Sequence, residues 1–405
     1  MSLDADVTIQ DRPSLWRLFL TFLKIGCISW GGYMALISVV RSEISDRRAL
    51  LEDQEIMDGV ALALLLPGPV AVNVVAYVGN RLLGALGAMV CVIAVVLPSF
   101  AFMLGLAVLY LSFGEQVSAG KALLALQPAI AALVLNAAWK MRKTALSRPL
   151  DWALAVGAAS ALLISGGVLA VVATIVVAGV CGMATQSAAA NPPVLLSLPQ
   201  PKPGWGTTVS VAVLVLCVVV FLAPLPAGSL LVQLFSVFSG MSLMLFGGGY
   251  IFIPMLQEVV VEGMKWLTQV EFAASIAMGQ VTPGPILISA TFIGFKTAGG
   301  LGALVATVAI FAPPAILMVV IANQLDRLRH FHHFTAAQSG IRAAVIGMIA
   351  AAAVTILRSI ELDGSESQLV VIPVIFGAAL LAMLRFKVTE VWVLVAAALV
   401  GVIFL

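Results

Sequence analysis

Apolar residues fill most of this chain in long runs, separated by short polar connections. The runs cover roughly 15–40, 55–80, 84–112, 122–141, 150–165, 167–185, 207–226, 230–256, 269–295, 298–322, 334–357, 367–384 and 388–405. Each is near or above the ~17–20 residues a helix needs to cross the hydrocarbon core. The pattern predicts an all-α polytopic membrane protein of about thirteen transmembrane segments. Two of the runs are interrupted at mid-length by the same tripeptide, Pro67-Gly68-Pro69 in the second and Pro283-Gly284-Pro285 in the ninth. Proline removes a backbone donor and clashes with the carbonyl one turn back, yet suits the first turn of a new helix. Two half-helices are therefore expected to meet at each tripeptide. Inside lipid such a break survives only when protein or a watery cavity surrounds it. The second half-helix presents free N–H groups and the positive end of its dipole there, which favours an anion.

The punctuation repeats. Ser29-Trp30-Gly31-Gly32-Tyr33 corresponds to Phe246-Gly247-Gly248-Gly249-Tyr250, and Leu50-Leu51 with Glu55 to Trp266-Leu267 with Glu271. Tyr77-Val78-Gly79 with Arg81 corresponds to Phe292-Ile293-Gly294 with Lys296, Gly84 and Gly87 to Gly299 and Gly302, and Pro98 to Pro313. Gln127 and Ile130 correspond to Gln338 and Ile341. The expected organisation is an N-terminus (1–14), a first repeat (15–186), a proline-rich linker (187–206), a connecting span (207–226) and a second repeat (227–405). Seven spans would separate the two starts, so the copies are expected to have opposite orientations, the layout of a secondary transporter.

Composition sharpens this picture. Hydrophobic residues make up 62% of the chain, charged residues 10%, and mean hydropathy is +1.13. Soluble domains carry about 25% charged residues, so the bilayer is the expected surrounding. A net charge of +2 gives no footprint for nucleic acid. With thirteen spans, thirteen Lys and Arg fall on the side of the N-terminus and six on the other, which makes the N-terminal side cytoplasmic. Arg41, Arg47 and Arg48 then lie on the opposite side, among Glu43, Asp46, Glu52 and Asp53. The start of the chain is polar and acidic and does not read as a cleavable signal peptide. Cys27, Cys91, Cys181 and Cys217 form no CxxC pair and read as inert thiols.

Candidate chemistry gathers at the breaks. Asn73 lies one turn past the first; Gln280 and Thr282 precede the second, with Ser289 and Thr291 after it. Gly31-Gly32 and Gly247-Gly248-Gly249 interrupt the first and eighth runs, either to pack helices closely or to let a ligand approach the backbone. Lys24 and Arg342 fall inside apolar runs, where a basic residue is costly and marks a pathway unless it snorkels out. Asp58 is the carboxylate placed within the membrane, a candidate for carrying a coupling proton or for pairing with an arginine. His330, His332 and His333 read as a solvated connection. No nucleotide-binding loop, HExxH or GxSxG motif is present, so no cofactor, metal or enzymatic activity is expected.

Phe22-Leu23-Lys24-Ile25-Gly26 running into Ser29-Trp30-Gly31-Gly32, followed by Pro67-Gly68-Pro69, resembles the chromate ion transporter family. The second copy is closer still, through Phe246-Gly247-Gly248-Gly249-Tyr250, Gly279-Gln280-Val281-Thr282-Pro283-Gly284-Pro285 and Thr291-Phe292-Ile293-Gly294. The resemblance covers 15–145 and 235–357. It implies a two-domain bacterial inner-membrane protein that exports chromate, an oxyanion shaped like sulfate. Departures are Leu64 and Val70-Ala71-Val72, where family members tend to be polar, and Met241 in the second copy at the place of Lys24. Sulfate or an organic anion as substrate, and a non-transporting membrane scaffold, stay open at this stage. So does oligomeric state, a homodimer included. In the chromate reading Pro67, Gly68, Pro69, Pro283, Gly284 and Pro285 cradle the dianion and Gln280, Thr282 and Asn73 donate to it. Lys24 and Arg342 supply charge, and the two glycine runs line the cavity.

Overall fold

A computed structural model describes residues 13–30, 33–113, 117–186, 229–245, 252–322, 332–360 and 366–405. All regular elements among these residues are helical. They are α1 (Leu15–Ile28), α2 (Tyr33–Arg41), α3 (Asp53–Leu65), α4 (Val70–Phe113), α5 (Val117–Ala145), α6 (Pro149–Ser165) and α7 (Gly167–Gln186), followed by α8 (Leu230–Leu243), α9 (Phe252–Leu256), α10 (Gln269–Val281), α11 (Ser289–Ala322), α12 (His332–Arg358), α13 (Glu366–Arg385) and α14 (Glu390–Phe404). A π-helical turn extends α2 over Ser42–Asp46 and another extends α9 over Gln257–Gly263. The connecting span expected at 207–226 lies outside the described residues.

Among the described residues five helices are long and apolar enough to cross a bilayer: Val70–Ser112, Gly120–Lys143, Ile286–Ala322, Ala336–Arg358 and Gln368–Arg385. Four shorter apolar helices accompany them. The chain is thus a polytopic all-α membrane protein, as the hydropathy pattern predicts. The long leg of α4 turns Leu86, Met89, Ile93, Leu97 and Phe102 outward, and α11 does the same with Leu301, Leu304 and Val308. The spacing of about one turn and the apolar character suit a face that meets lipid. Small residues make the helix contacts: Gly182 abuts the backbone of Ala336, Gly340 that of Ala178, and Gly347 that of Ala155. Where apolar burial gives no drive between helices, such close backbone approach supplies dispersion contacts instead.

The expected thirteen crossings require correction, because three of the runs fold back on themselves. Glu55 and Arg81, 26 residues apart, form an ion pair at 2.8 Å. A continuous helix would set them about 39 Å apart. Gly59 packs directly on the Tyr77 ring between them. So α3 and the first leg of α4 form a hairpin with Pro67-Gly68-Pro69 at its tip. Glu271 and Lys296 close the second copy in the same way at 2.7 Å, around Pro283-Gly284-Pro285. Lys24 reaches Glu43 at 2.7 Å, so the chain also doubles back between α1 and α2. Hydropathy cannot tell a hairpin of two half-helices from one spanning helix, since the apolar length is the same.

The repeat recurs in backbone detail. The first leg of α4 ends at Leu83 (φ −136°, ψ 26°) and Gly84 (φ 66°, ψ −159°). That of α11 ends at Ala298 (φ −143°, ψ 29°) and Gly299 (φ 63°, ψ −155°). Only glycine holds such a φ and ψ without strain, and the chain turns sharply enough for Gly79 to touch Gly87 and Gly294 to touch Gly302. The turn at Gly84 falls at the boundary expected between the second and third runs, and the turn at Gly299 at that between the ninth and tenth. Across the copies the helices interlock: α12 packs along α6 and α7, and α5 packs along α13 and α14.

A labelling experiment checks the hairpin. With the native cysteines replaced, cysteines introduced at Leu51 and Ala85 are expected to react with an impermeant maleimide from the same face of the membrane. Reaction from opposite faces would restore a spanning segment.

Candidate functional site

Each hairpin tip is held by the other copy. The Gly68 N–H donates to the Leu245 carbonyl at 2.7 Å, just after α8. The Gly284 N–H donates to the Ser29 carbonyl at 2.9 Å, just after α1. These two amides are therefore engaged. The free donors lie a residue or two further on, at Val70–Val72 in the first turn of α4 and at Ile286 and Leu287 in the short turn Ile286–Ile288, where helix geometry leaves N–H groups without intrahelical partners; the Ile288 N–H donates to the Pro285 carbonyl at 3.1 Å. Each crossed bond is worth about 0.5–1.5 kcal/mol net, and leaving either amide unpaired away from water would cost more.

The tips pack as tightly as their glycines allow. Gly68 has φ 108° and Gly284 has φ 106°. Gly68 lies against the Pro314 ring, and Gly284 against the Ser99 hydroxyl. Ser99 Oγ donates to the Pro283 carbonyl at 2.5 Å. Asn73 is fully buried, and its Nδ2 donates back to the Pro67 carbonyl at 3.0 Å. The Asn73 Oδ1 has no hydrogen-bond partner among the described residues. Thr282 Oγ1 donates to the Gly279 carbonyl at 3.0 Å. Asn73 and Thr282 thus brace their own turns. Gln280, half-buried on the last turn of α10, remains beside the second tip.

Arg342 is the basic residue that reaches a tip. It projects from α12, and its guanidinium donates to the Leu64 carbonyl and to Gln338 Oε1, both at 3.3 Å. Gln338 Nε2 donates to the same Leu64 carbonyl at 3.3 Å. Leu64 lies in the last turn of α3, whose carbonyls lack helical partners, so the pair finishes α3 immediately before Pro67. Sequence reading marked Gln338 as a repeat match with Gln127 and not as a site residue. The match was the available signal.

The other expected residues lie elsewhere. Lys24 is bound to Glu43, which also accepts from Arg47 Nη1 at 2.7 Å, so its charge is already compensated. Asp58 is buried on α3, accepting from Gln54 Nε2 at 3.2 Å through one oxygen, while Oδ2 has no partner among the described residues. Gly31, Gly32, Gly247, Gly248 and Gly249 lie outside the described residues, as do His330 and the side chains of His332 and His333. Ser289 and Thr291 serve packing: Ser289 Oγ donates to the Ser275 carbonyl, and Thr291 bonds Thr307 at 2.7 Å. Among the described residues no cluster of acids, histidines and cysteines could hold a metal.

Among the described residues the two hairpins pack differently. The hairpin of α10 packs broadly on α5, and the π-turn before it packs on α7. The corresponding hairpin of α3 meets α12 sparsely, chiefly through Gln338 and Arg342 at Leu64.

A family model described as Chromate transporter matches residues 16–183 and 232–402. A chromate transport protein of Pseudomonas aeruginosa is 28% identical over 98% of this chain and 94% of its own. An uncharacterized transporter of Methanocaldococcus jannaschii is 28% identical over 91% of this chain and 90% of its own. An uncharacterized transporter of Bacillus subtilis is 31% identical over 42% of this chain yet 94% of its own, the length of a single copy of the repeat. No solved structure matches the chain.

Proposed function

Because this chain belongs to the Chromate transporter family, we propose that it is a secondary transporter that moves chromate out across the bacterial inner membrane by alternating access. The observation that carries the reading is the pair of proline–glycine–proline tips, one from each copy, each bonded to the other copy's backbone. Each following half-helix brings first-turn N–H groups to its tip, and a tetrahedral dianion matches several donors and a cationic side chain at once. In this reading Val70–Val72, Ile286 and Leu287 give backbone donors, Gln280 gives a side-chain donor and Arg342 gives the charge. Pro67, Gly68, Pro69, Pro283, Gly284 and Pro285 shape the cradle, Asn73 and Thr282 hold that shape, and Lys24 balances Glu43 at the base of the first hairpin. The unpartnered oxygen of Asp58 makes it the residue proposed to carry a coupling proton.

The hairpins also change the topology. We take α8 and α9 to fold back as α1 and α2 do. Four of the thirteen apolar runs then leave the count of crossings, which leaves nine, with the run at 207–226 as the odd one between copies. The copies keep opposite orientations because two crossings, an even number, vanish from each. Arg41, Arg47 and Arg48 move to the side of the N-terminus. That side now holds fifteen Lys and Arg against four, in place of thirteen against six, a stronger cytoplasmic bias. On this topology the first hairpins open from the cytoplasm and the second from outside. The looser α3 hairpin makes this conformer cytoplasm-facing.

Everted membrane vesicles containing the chain are expected to accumulate labelled chromate when energised. Accumulation of labelled sulfate without chromate would transfer the reading to sulfate. Flux of neither anion would leave a scaffold role.

A further inference from the structure

Each copy buries an acid in the π-turn that follows its second helix, with opposite charge compensation. Glu43 lies in the π-turn after α2 and Glu258 in the π-turn after α9, one position apart in the register that pairs Leu50 with Trp266. Both are buried. Glu43 binds Lys24 and Arg47, with Arg48 Nε at 4.0 Å. In the second copy Met241 occupies the place of Lys24, and Gly263 and Met264 occupy those of Arg47 and Arg48. Among the described residues no cation lies within ion-pair distance of Glu258. Its Oε2 accepts instead from the Gly167 N–H, the first of α7. Gly166 and Gly167 both have positive φ, 58° and 78°, and this tight link aims the amide at the carboxylate. The neighbouring charged group is another acid, Glu262, on the same turn. Of the elements packed against this turn, α7 contributes Cys181 as a titratable side chain and α10 contributes Glu271, neither of them a cation.

A buried carboxylate with an acidic neighbour and one backbone donor gains a proton far more readily than one held by three cations. The contact also has a place in the fold. It fastens the π-turn that leads into the second-copy hairpin to the α6–α7 link of the first copy.

We propose that Glu258 is a proton-binding site whose occupancy controls the docking of the second hairpin on the α6–α7 link. Ionised, it takes the Gly167 N–H and the positive end of α7, and the outer side stays shut. One proton taken from the outer solution neutralises it, weakens that contact and frees the hairpin. Release of the same proton re-forms the latch. The coupling role rests on the transport reading above; the protonation itself does not.

The test uses the full chain in lipid vesicles. Infrared difference spectra across pH, taken in an Asp58→Asn background so that Asp58 adds no band, are expected to show the carbonyl band of a buried protonated carboxyl. The band should be absent in Glu258→Gln and displaced in Glu258→Asp. A band unchanged in Glu258→Gln, or no such band in that background, overturns the site whether or not chromate is carried. With Asp58 restored, Glu258→Gln is expected to keep chromate–chromate exchange and lose its response to an imposed pH difference. A retained response overturns the latch. The Gln amide oxygen still accepts from Gly167, so a purely structural cap would leave both readouts at parental values.

Discussion

Replacing Gly68 with Ala is expected to unfold or inactivate the protein, and replacing Gly284 with Ala to do so less severely. Both glycines have φ near +107°, in a region that excludes L side chains. The backbone alone then costs about 1–2 kcal/mol or more. At Gly68 the new methyl runs into Cβ and Cγ of Pro314, a ring that cannot rotate aside, and overpacking adds about 1–3 kcal/mol. Together these reach a sizeable part of the ~5–15 kcal/mol that holds a typical domain folded. At Gly284 the obstacle is the Ser99 hydroxyl, which can swing away at the loss of its bond to the Pro283 carbonyl. Ser99→Ala should therefore recover part of the loss in Gly284→Ala, while Pro314→Ala should do the same for Gly68→Ala. Gly105→Ala, with open space around it, serves as the neutral comparison. Thermal unfolding in detergent gives the ranking, and equal losses at the two tips would show that their neighbours do not matter.

The second large effect concerns Arg342. Arg342→Gln is expected to raise the half-saturating chromate concentration roughly 10- to 150-fold, as a lost charge-assisted hydrogen bond of about 1.5–3 kcal/mol requires. The melting temperature should change little, because the glutamine amide can still donate to the Leu64 carbonyl. Arg342→Lys should restore part of the affinity by charge while losing the fork that serves Leu64 and Gln338 together. Lys24→Met is the contrasting variant. Lys24 is half-exposed and Glu43 keeps Arg47, so affinity should stay near that of the parent. A large loss in Lys24→Met with none in Arg342→Gln would reverse the assignment of charge in the site.

The residue patterns foretold much of this. Proline and glycine are legible because they act locally: the conformation that Gly68, Gly84, Gly284 and Gly299 require is written in the residue type. The repeat was legible for the same reason, as a series of punctuation marks at matching intervals. The pairing of Glu55 with Arg81 was not, although both residues had been singled out as repeat matches. An ion pair is a fact about distance in space, and the apolar run between the two reads alike whether it crosses the membrane or returns.

Composition and hydropathy by themselves determined that the chain lives in a bilayer, is helical and is duplicated, since lipid forces every backbone group into internal hydrogen bonds and the repeat is a matter of order along the chain. Only the tertiary structure decided that the broken segments are hairpins, that each glycine amide is taken by the opposite copy, and that Glu43 is neutralised where Glu258 is not. Those outcomes depend on which distant groups come within a few ångströms of one another, and short-range electrostatics and packing leave no periodic trace in the order of residues.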